Sequence, residues 1–479
     1  MRALRRWLDD TAGGLPATFW YLWAGLLINR AGAFAMLFLS LYLTEARGAS
    51  EALTGTVVGA YGLGGAAGVL LGGVLADRWG RRATLLAAHL ATAGLMVALG
   101  LSRHLVLIAV LAALVGVAHS MPSPAFVAAI VDVVPERRRA RAFNLQFWAF
   151  NLGMAAASLL AGLLAEASFV ALFLVDAAAT LLAAAVIAWK VPETLPRRAP
   201  GLTAILDTFR PVGTGSVQDP RTGSGTDGGE APEPRRAGQR RWAGQRGQRR
   251  WAGQRGQRRW AAQRGRQRRP GLHTALTDRT FLTFVALTFV LAVLTMQTST
   301  IMPLAMRSDG LRPSAYGMVV ALGGVLIVVG QLFVPRLIER HRKDRVLAAS
   351  TVLLALGFAT LAVADGLAVY LAAAVVWTVG QMLAAPPNAQ INADLAPPEL
   401  RARYQSVFYL AFPAASFVAP TLGGVSLQYL GDLHWLIVGA LGLLAAGCHL
   451  LAGPPRDRHV AALRRSTARH AAPAPAPAH

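Results

Sequence analysis

Charge and cysteine are both scarce in this chain of 479 residues. Only 15% of its residues are charged, whereas soluble domains carry about a quarter. The single cysteine, Cys448, excludes an intramolecular disulfide and a metal site built from cysteines. The sequence also lacks a nucleophile–base–acid set, a metal-ligand spacing and a G-x-x-x-x-G-K-[ST] phosphate loop. These absences argue against an enzyme, a bound metal or cofactor, and nucleotide-driven activity.

Apolar sequence is abundant instead, since hydrophobic residues make up 54% of the chain and the mean hydropathy is +0.44. Apolar runs recur that are long enough to cross a hydrocarbon core of about 30 Å as helices. Backbone groups in lipid must be satisfied within the segment, so helices are expected. The sequence predicts an all-α membrane protein with twelve spans: 17–44, 53–76, 83–102, 105–131, 142–166, 168–190, 279–306, 315–338, 346–364, 367–393, 404–429 and 433–452.

These spans divide the chain into two six-helix bundles, with three further segments around them. The first ten residues, MRALRRWLDD, contain two acids and no small-residue cleavage site, so a removable signal peptide is not expected. The last residues, AAPAPAPAH, are typical of a disordered end. The predicted regions are an N-terminal segment (1–16), a first bundle (17–190), a linker (191–278), a second bundle (279–452) and a disordered tail (453–479).

Basic residues are distributed unequally between the two sides of the predicted spans. Fourteen arginines and lysines lie in the short loops of one side and four in those of the other. Loops rich in arginine and lysine stay in the cytoplasm. The sequence therefore predicts a multi-pass protein of the cell membrane with both termini in the cytoplasm.

One ungapped offset relates the two bundles. The stretch VDVVPERRRARAF around Asp132 matches ADLAPPELRARYQ around Asp394, at an offset of 262 residues. At the same offset Arg81 corresponds to Lys343. Two six-helix halves related as parallel repeats explain this register.

The loop GGVLADRWGRR carries a resemblance to a known family. Gly73, Asp77, Arg78, Gly80, Arg81 and Arg82 reproduce the G-x-x-x-D-R-x-G-R-[RK] loop between helices 2 and 3 of the major facilitator superfamily. With the spans and the repeat, the resemblance covers about residues 17–195 and 275–453. It implies a monomeric secondary transporter of a small molecule that works by alternating access.

The resemblance also implies a conformational latch at the cytoplasmic side. Asp77 would meet the start of helix 11 near Tyr404, and Arg81 would pair with Asp132, holding the two halves closed until they rock. Gly80 would allow a tight turn and Gly73 a close helix approach. The alternative is that the arginines only set topology. The latch candidates are Gly73, Asp77, Arg78, Gly80, Arg81, Arg82, Asp132, Arg139, Glu339, Arg340, Asp394 and Arg401.

Ionisable residues inside the predicted spans are the candidates for proton coupling, because they are costly in a bilayer. Arg30 and Asp176 lie at compatible depths in helices 1 and 6, so an ion pair between them is expected. His119 lies on helix 4, and an unperturbed histidine titrates near neutral pH. A purely structural role is the alternative for each. The candidate residues for a substrate cavity are Asn29, Gln146, Phe147, Asn151, Gln297, Gln381 and Asn388.

The pattern NRAGAF…LYL in helix 1 resembles the drug-efflux branch of the family, which implies export of a partly hydrophobic molecule by proton antiport. The G-P-x-x-G-G pattern of many antiporters is replaced by ASLLAG in helix 5, although APTLGG occurs in helix 11. The alternatives are uptake or facilitated transport of a polar metabolite, and a membrane-embedded sensor or scaffold.

The linker is strongly basic and repetitive. Between Arg197 and Arg269 there are 18 arginines and five acids, and RRWAGQRGQ recurs with tryptophans nine residues apart. This composition predicts disorder. A basic tract with tryptophans favours anionic lipid headgroups, although a low-complexity insert without function is the alternative. Nucleic acid is not expected as a partner.

Overall fold

The computed structural model describes residues 13–194, 272–330, 333–338, 340–397 and 400–471. Within those ranges the chain is almost entirely helical and has no strand. Eleven of the described helices are long and apolar enough to cross a membrane. This architecture confirms the predicted all-α membrane fold. The basic part of the linker and its predicted disorder lie outside the described residues.

The bundle helices of the first half are α1 (Ala17–Ala31), α2 (Glu51–Arg78), α3 (Arg81–Leu101), α4 (Leu105–Ser120, continuing as Pro122–Val133), α5 (Arg139–Ala167) and α6 (Phe169–Lys190). Those of the second half are α7 (Arg279–Ser308), α8 (Pro313–Gly330), α9 (Lys343–Ala359), α10 (Leu367–Leu395), α11 (Arg401–Tyr409, continuing as Ala411–Leu430) and α12 (Leu433–Ala471). A short helix, Leu272–Thr277, precedes α7.

Side-chain caps explain where three of these helices begin. Ser50, Ser168 and Asp278 precede α2, α6 and α7, and each accepts a hydrogen bond from the amide three residues later, at 3.3, 3.3 and 3.1 Å. Such caps satisfy backbone donors that a helix start leaves open. These three spans therefore begin directly after a polar residue that caps them.

The first predicted span, 17–44, is not one continuous helix. α1 ends at Ala31, and helical turns resume only at Leu39–Leu41 and Tyr42–Ala46. The break leaves backbone amides without helical partners, and one of them donates to the buried carboxylate of Asp176 on α6 at 3.2 Å. This interruption explains why eleven, rather than twelve, of the described helices are long and apolar enough to cross a membrane.

The two ends of the bundle differ in charge and are named here accordingly. The arginine-rich end is the one at which α2 joins α3, through Arg78, Arg81 and Arg82. The opposite end is the one at which α7 joins α8. The sequence predicts that the arginine-rich end faces the cytoplasm.

Glycines on one face of α2 bring it against α4. A Cβ at Gly64, Gly68 or Gly72 would overlap a backbone carbonyl oxygen of α4, so the two backbones touch directly. The close approach predicted at Gly73 is wrong, because a Cβ there would have nothing within 4 Å. Neighbouring helical positions point about 100° apart, so Gly72 faces α4 and Gly73 does not.

The two halves contact each other along α2 with α11 and along α5 with α8. A Cβ at Gly55 would overlap the carbonyl of Pro420, and one at Gly317 would overlap that of Ser158. Both sites lie toward the opposite end. Polar contacts also join the halves there: Arg307 with Glu45 (3.5 Å), the amide of Ala52 with Gln428 (3.0 Å) and the amide of Ser314 with Glu166 (3.4 Å).

The last helix is longer than predicted. α12 continues past its predicted end at residue 452 to Ala471. Arg464 on this extension binds Asp394 at the end of α10 at 3.0 Å, which ties the extension to the bundle. The disorder predicted for 453–479 is therefore wrong as far as Ala471, and the remainder lies outside the described residues.

Candidate functional site

The largest of three adjoining cavities has a volume of about 720 Å³ and lies between the halves. Helices α7, α8, α10 and α11 supply most of its wall, and α5 supplies the rest. It reaches Asn392 and Gln405, which lie about one turn from the arginine-rich ends of their helices. Three predicted lining residues, Asn151, Gln381 and Asn388, line this cavity. The cavity thus approaches the end that lies away from the contacts between the halves at Gly55 and Gly317.

Two smaller cavities, of about 400 and 130 Å³, adjoin the largest one, and we refer to all three together as the central cavity. Phe150 lines all three. Arg30 and His119 line both smaller cavities, and the predicted residues Asn29 and Gln146 line the smallest. The ionisable side chains of the first half therefore meet the same space as the neutral polar side chains of the second.

Arg30, His119 and Tyr61 form a hydrogen-bonded row at the wall of the central cavity. Nη1 of Arg30 lies 3.3 Å from Nε2 of His119, and Nδ1 of His119 lies 2.9 Å from the Tyr61 hydroxyl. A guanidinium has no acceptor, so Nε2 accepts and the imidazole is neutral. Nδ1 then carries the ring proton and donates a hydrogen bond to the Tyr61 hydroxyl.

The guanidinium of Arg30 also contacts an aromatic ring and keeps one donor without a partner in the described part of the chain. Its Cζ lies over the ring of Phe150, 5.1 Å from the centroid, within the range of a cation–π contact. Its Nε is buried and has no hydrogen-bond partner among the described residues. The cation is therefore held by an imidazole and an aromatic face.

The predicted ion pair between Arg30 and Asp176 is wrong. No contact within 4.0 Å joins them in the described structure. Asp176 is 3% exposed, and its carboxylate accepts hydrogen bonds from the amide of Ala35 at 3.2 Å and the hydroxyl of Thr180 at 3.4 Å. Equal depth in the bilayer does not make two residues face each other. The interrupted helix α1 provides the donor to Asp176 that a continuous helix would have withheld.

Two other predicted lining residues do not line these three cavities. Phe147 is 46% exposed on α5. Gln297 is buried at 4% exposure on α7, and a Cβ at Gly423 of α11 would lie 3.1 Å from its Oε1. Gln297 therefore packs against the neighbouring helix instead of facing the cavity. Both residues lie on membrane-spanning helices, but neither points into these cavities.

The loop between α2 and α3 is held by the chain that follows α6. Gly80 has φ of +106°, which favours glycine. The carboxylate of Glu193 accepts hydrogen bonds from the amides of Arg81 and Arg82, at 2.8 and 3.2 Å. Nε of Arg81 lies 3.1 Å from Asp132 at the end of α4. The structure thus brings the predicted partners Arg81 and Asp132 together.

The repeat-related pair in the second half also forms. Nζ of Lys343 lies 2.7 Å from Asp394, which binds Arg464 as well. The offset of 262 residues therefore relates two ion pairs in space.

The other latch candidates lie in different surroundings. Arg139 donates hydrogen bonds to the carbonyls of Val134 and Val131, at 3.3 and 3.1 Å, so it caps the end of α4. Glu339 lies outside the described residues. Three further candidates are exposed: Arg78, Arg340 and Arg401.

Asp77 and α11 are not in contact in this conformation. The side chain of Asp77 is 77% exposed and lies 3.5 Å from Arg81. The hydroxyl of Tyr404 donates to Asp278, at 3.1 Å, within the second half. The structure thus forms the ion pairs within each half and leaves Asp77 away from the other half.

Sequence reasoning missed two residues of this arrangement. Tyr61 is an aromatic residue among small ones in GAYGLGG, a signal that marks a space for a side chain between close helices. Glu193 stands just after a predicted span and gave no such signal. Its role depends on the fold bringing the end of α6 beside the start of α3.

Comparisons with known proteins agree with this architecture. The chain matches the family model described as Major Facilitator Superfamily over residues 22–301 and 280–477. It is 30% identical over 190 residues to the uncharacterized MFS-type transporter YhjO of Bacillus subtilis (strain 168), covering 39% of this chain and 47% of that one. It is 29% identical over 182 residues to the 4-hydroxybenzoate transporter PcaK of Pseudomonas putida, covering 37% of this chain and 41% of that one.

The chain thus covers less than half the length of each of these two relatives. A crystal structure of the peptide transporter POT in complex with sulfate resembles this one with a TM-score of 0.67 and 16% identity, over 94% of this chain and 99% of that one. At this identity the likeness concerns the fold alone. The described helices and the family match place the protein in the membrane as a multi-pass chain. The match covers most of the sequence, and the chain belongs to the major facilitator superfamily.

Proposed function

We propose that the chain is a secondary active transporter that exports a small, partly apolar organic molecule in exchange for protons. The observation that carries the proposal is the row of Arg30, His119 and Tyr61 at the wall of the central cavity. Ionisable groups inside membrane helices are costly and commonly mark ion or substrate pathways. The family match supports membrane transport, and the row adds a group suited to carry the proton.

Alternating access is supported by the unequal packing of the two ends. The halves are packed at the opposite end through Gly55 and Gly317, while the cavity approaches the arginine-rich end. With the arginine-rich end and both termini in the cytoplasm, this conformation would admit a cytoplasmic substrate. Rocking of the halves along α2–α11 and α5–α8 would then close that end and open the other. Asp77 would meet α11 in that second state.

His119 is the proposed proton carrier. Its Nε2 accepts from Arg30, so a proton bound there removes the acceptor and places two cations side by side. Arg30 must then move away from His119. The other titratable groups around His119 and Arg30 are Tyr61 on α2, His89 on α3 and Asp176 on α6. The position of Arg30 and the charge of His119 are thus linked in one element that both substrate and proton can reach.

The proposal is tested by proton-driven flux in proteoliposomes, over a panel of small organic molecules, with and without an uncoupler. We expect His119→Gln to reduce the proton-driven flux at least about tenfold, because a positioned proton-transfer group is removed. The matched control is His104→Gln, because His104 is exposed in the loop before α4. Flux that ignores both the uncoupler and His119→Gln would contradict proton coupling through this row.

Asp176 is a second candidate for coupling, and it is tested separately. Asp176→Asn keeps an acceptor for the amide of Ala35 but removes the charge. We expect reduced proton-driven flux if the charge takes part in coupling. Unchanged flux would leave Asp176 with a structural role at the break in α1.

Uptake or facilitated transport of a polar metabolite is the second candidate function. The neutral polar residues Gln381, Asn388 and Asn392 in the cavity wall favour it, as does the similarity to a relative named as a 4-hydroxybenzoate transporter. Imposing the proton gradient in each direction separates the two functions. A membrane-embedded sensor or scaffold, with the linker bound to anionic headgroups, would show no flux in either direction.

A further inference from the structure

Among the described residues, no acid neutralises the buried cation of Arg30 by direct contact. Its described contacts are the imidazole of His119 and the ring of Phe150. Asp176 lies on the neighbouring helix, but its carboxylate is occupied by Ala35 and Thr180. Nε of Arg30 is buried without a partner among the described residues. A buried guanidinium with free donor capacity is costly until an acceptor reaches it.

The central cavity that Arg30 lines holds no compensating acid. Among the described residues that line the three cavities, none is an aspartate or a glutamate. The field inside a low-dielectric space with one fixed cation favours a ligand of negative charge. A guanidinium also presents paired donors that match the two oxygens of a carboxylate. The charge of the wall therefore selects against cationic ligands.

The wall of the central cavity also carries large apolar side chains. Phe150, Met154, Met296 and Phe412 line both larger parts of the central cavity. Phe150 and Phe412 are 42% and 37% exposed. Aromatic rings and thioethers suit a flat or irregular apolar body. The combined space is in the size range of cavities that hold small organic ligands.

We infer that the central cavity recognises an organic anion, with its carboxylate on Arg30 and its apolar body between Phe150 and Phe412. The inference deepens the proposed transport function and rests on it for access of the ligand to the cavity. It does not depend on the direction of transport. Release of Arg30 from His119 would make Nη1 available to the same carboxylate.

The test is an equilibrium measurement on the detergent-purified full chain. Thermal stabilisation and binding are measured for matched triples built on benzene, naphthalene and indole, each as the carboxylic acid, the amide and the primary amine. We expect acids to bind and their amides and amines not to bind. Arg30→Gln should weaken acid binding by at least about tenfold, since a charge-assisted hydrogen bond is lost. Arg30→Lys should retain part of the affinity.

The matched control is Arg103→Gln, which removes an exposed arginine at the opposite end. It should leave acid binding unchanged. The melting temperature without ligand shows whether Arg30→Gln is folded. If it is not, the affinity of Arg30→Lys for acids provides the test. The inference is overturned if amines or amides bind as well as acids, if no acid binds at millimolar concentration, or if Arg30→Gln binds acids like the wild type. Acid binding without proton-driven flux would contradict the proposed function only.

Discussion

The two ends of the bundle hold the halves in different ways. At the opposite end, backbone meets backbone across the halves at Gly55 and Gly317. At the arginine-rich end, the ion pairs Arg81–Asp132 and Lys343–Asp394 each lie within one half. Each half is therefore braced internally at the end where the central cavity approaches the surface. This difference fits the proposed rigid-body transition, in which the halves part at one end while each remains intact.

The largest effect is expected from filling the backbone contact at the opposite end. Gly55→Leu would force α2 away from α11, because a Cβ there overlaps the carbonyl of Pro420. Overpacking of this kind costs about 1–3 kcal/mol or more. We expect a lower melting temperature and a large loss of transport. Gly94→Leu is the matched control, since a Cβ at Gly94 would have nothing within 4 Å. Equal losses in both variants would show that the contact between halves is unimportant.

A severalfold loss of transport without a loss of stability is expected for Asp77→Asn. Asp77 is 77% exposed in this conformation, and an exposed ion pair contributes little to stability. If it acts in the state that closes the arginine-rich end, only turnover should fall. Transport rate and melting temperature, measured on the same preparation, separate the two effects. A variant with normal turnover would leave Asp77 as a topology signal only.

The repeat-related ion pairs should differ in strength by a smaller amount. Asp394 binds two cations, Lys343 at 2.7 Å and Arg464 at 3.0 Å, whereas Asp132 binds Arg81 at 3.1 Å. We expect Asp394→Asn to cost more stability than Asp132→Asn, by up to about 1 kcal/mol for such partly exposed pairs. Melting temperatures at low and high salt measure this difference, because salt screens it.

The control for these ion pairs is Asp457→Asn. The side chain of Asp457 is 68% exposed and lies 3.3 Å from Arg342. We expect almost no change in its melting temperature. A loss equal to that of Asp394→Asn would mean that the number of cations around the acid does not matter.

The smallest effect is expected at Asp309, beyond the end of α7. Partial removal from water raises the pKa of Asp309, the hydrogen bond from Tyr370 lowers it, and nearby Asp432 and Asp365 raise it, with a net increase. Stability from its protonated form is present below the unfolded pKa of about 3.9 and is lost as pH rises through the folded pKa. Asp309→Asn should therefore slightly raise the melting temperature at neutral pH, and this gain should vanish in acid. A gain independent of pH would point to a cause other than the charge.

Much of the fold follows from sequence because its signals are local or repeated. Apolar length predicts the spans, and the offset of 262 residues places Lys343 with Asp394 as it places Arg81 with Asp132. The direction in which a side chain points around its helix axis was harder to predict from the sequence. The rise per residue gives depth, but facing depends on how neighbouring helices pack, so the Arg30–Asp176 pair was wrong.

The break in the first predicted span could not be predicted from the sequence either. Its apolar composition continues without interruption through residues 32–38, so hydropathy predicts one span. An amide of this stretch donates a hydrogen bond to Asp176, a residue that stands far along the chain. The candidate site was predicted as separate residues, and Tyr61, which completes the row with His119, was not among them.

Helix α2 has little surface that can change without consequence. One glycine stripe fits α4 and another fits α11, through Gly55 and Gly59 among others. The remaining stripe carries large apolar residues that are exposed: Leu63, Leu70 and Val74. In a complete substitution scan, α2 should therefore show two stripes in which almost every replacement is lost from the population. The third stripe should accept most apolar residues. The pattern of tolerated mutations would then distinguish the faces that contact α4 and α11 from the remaining face.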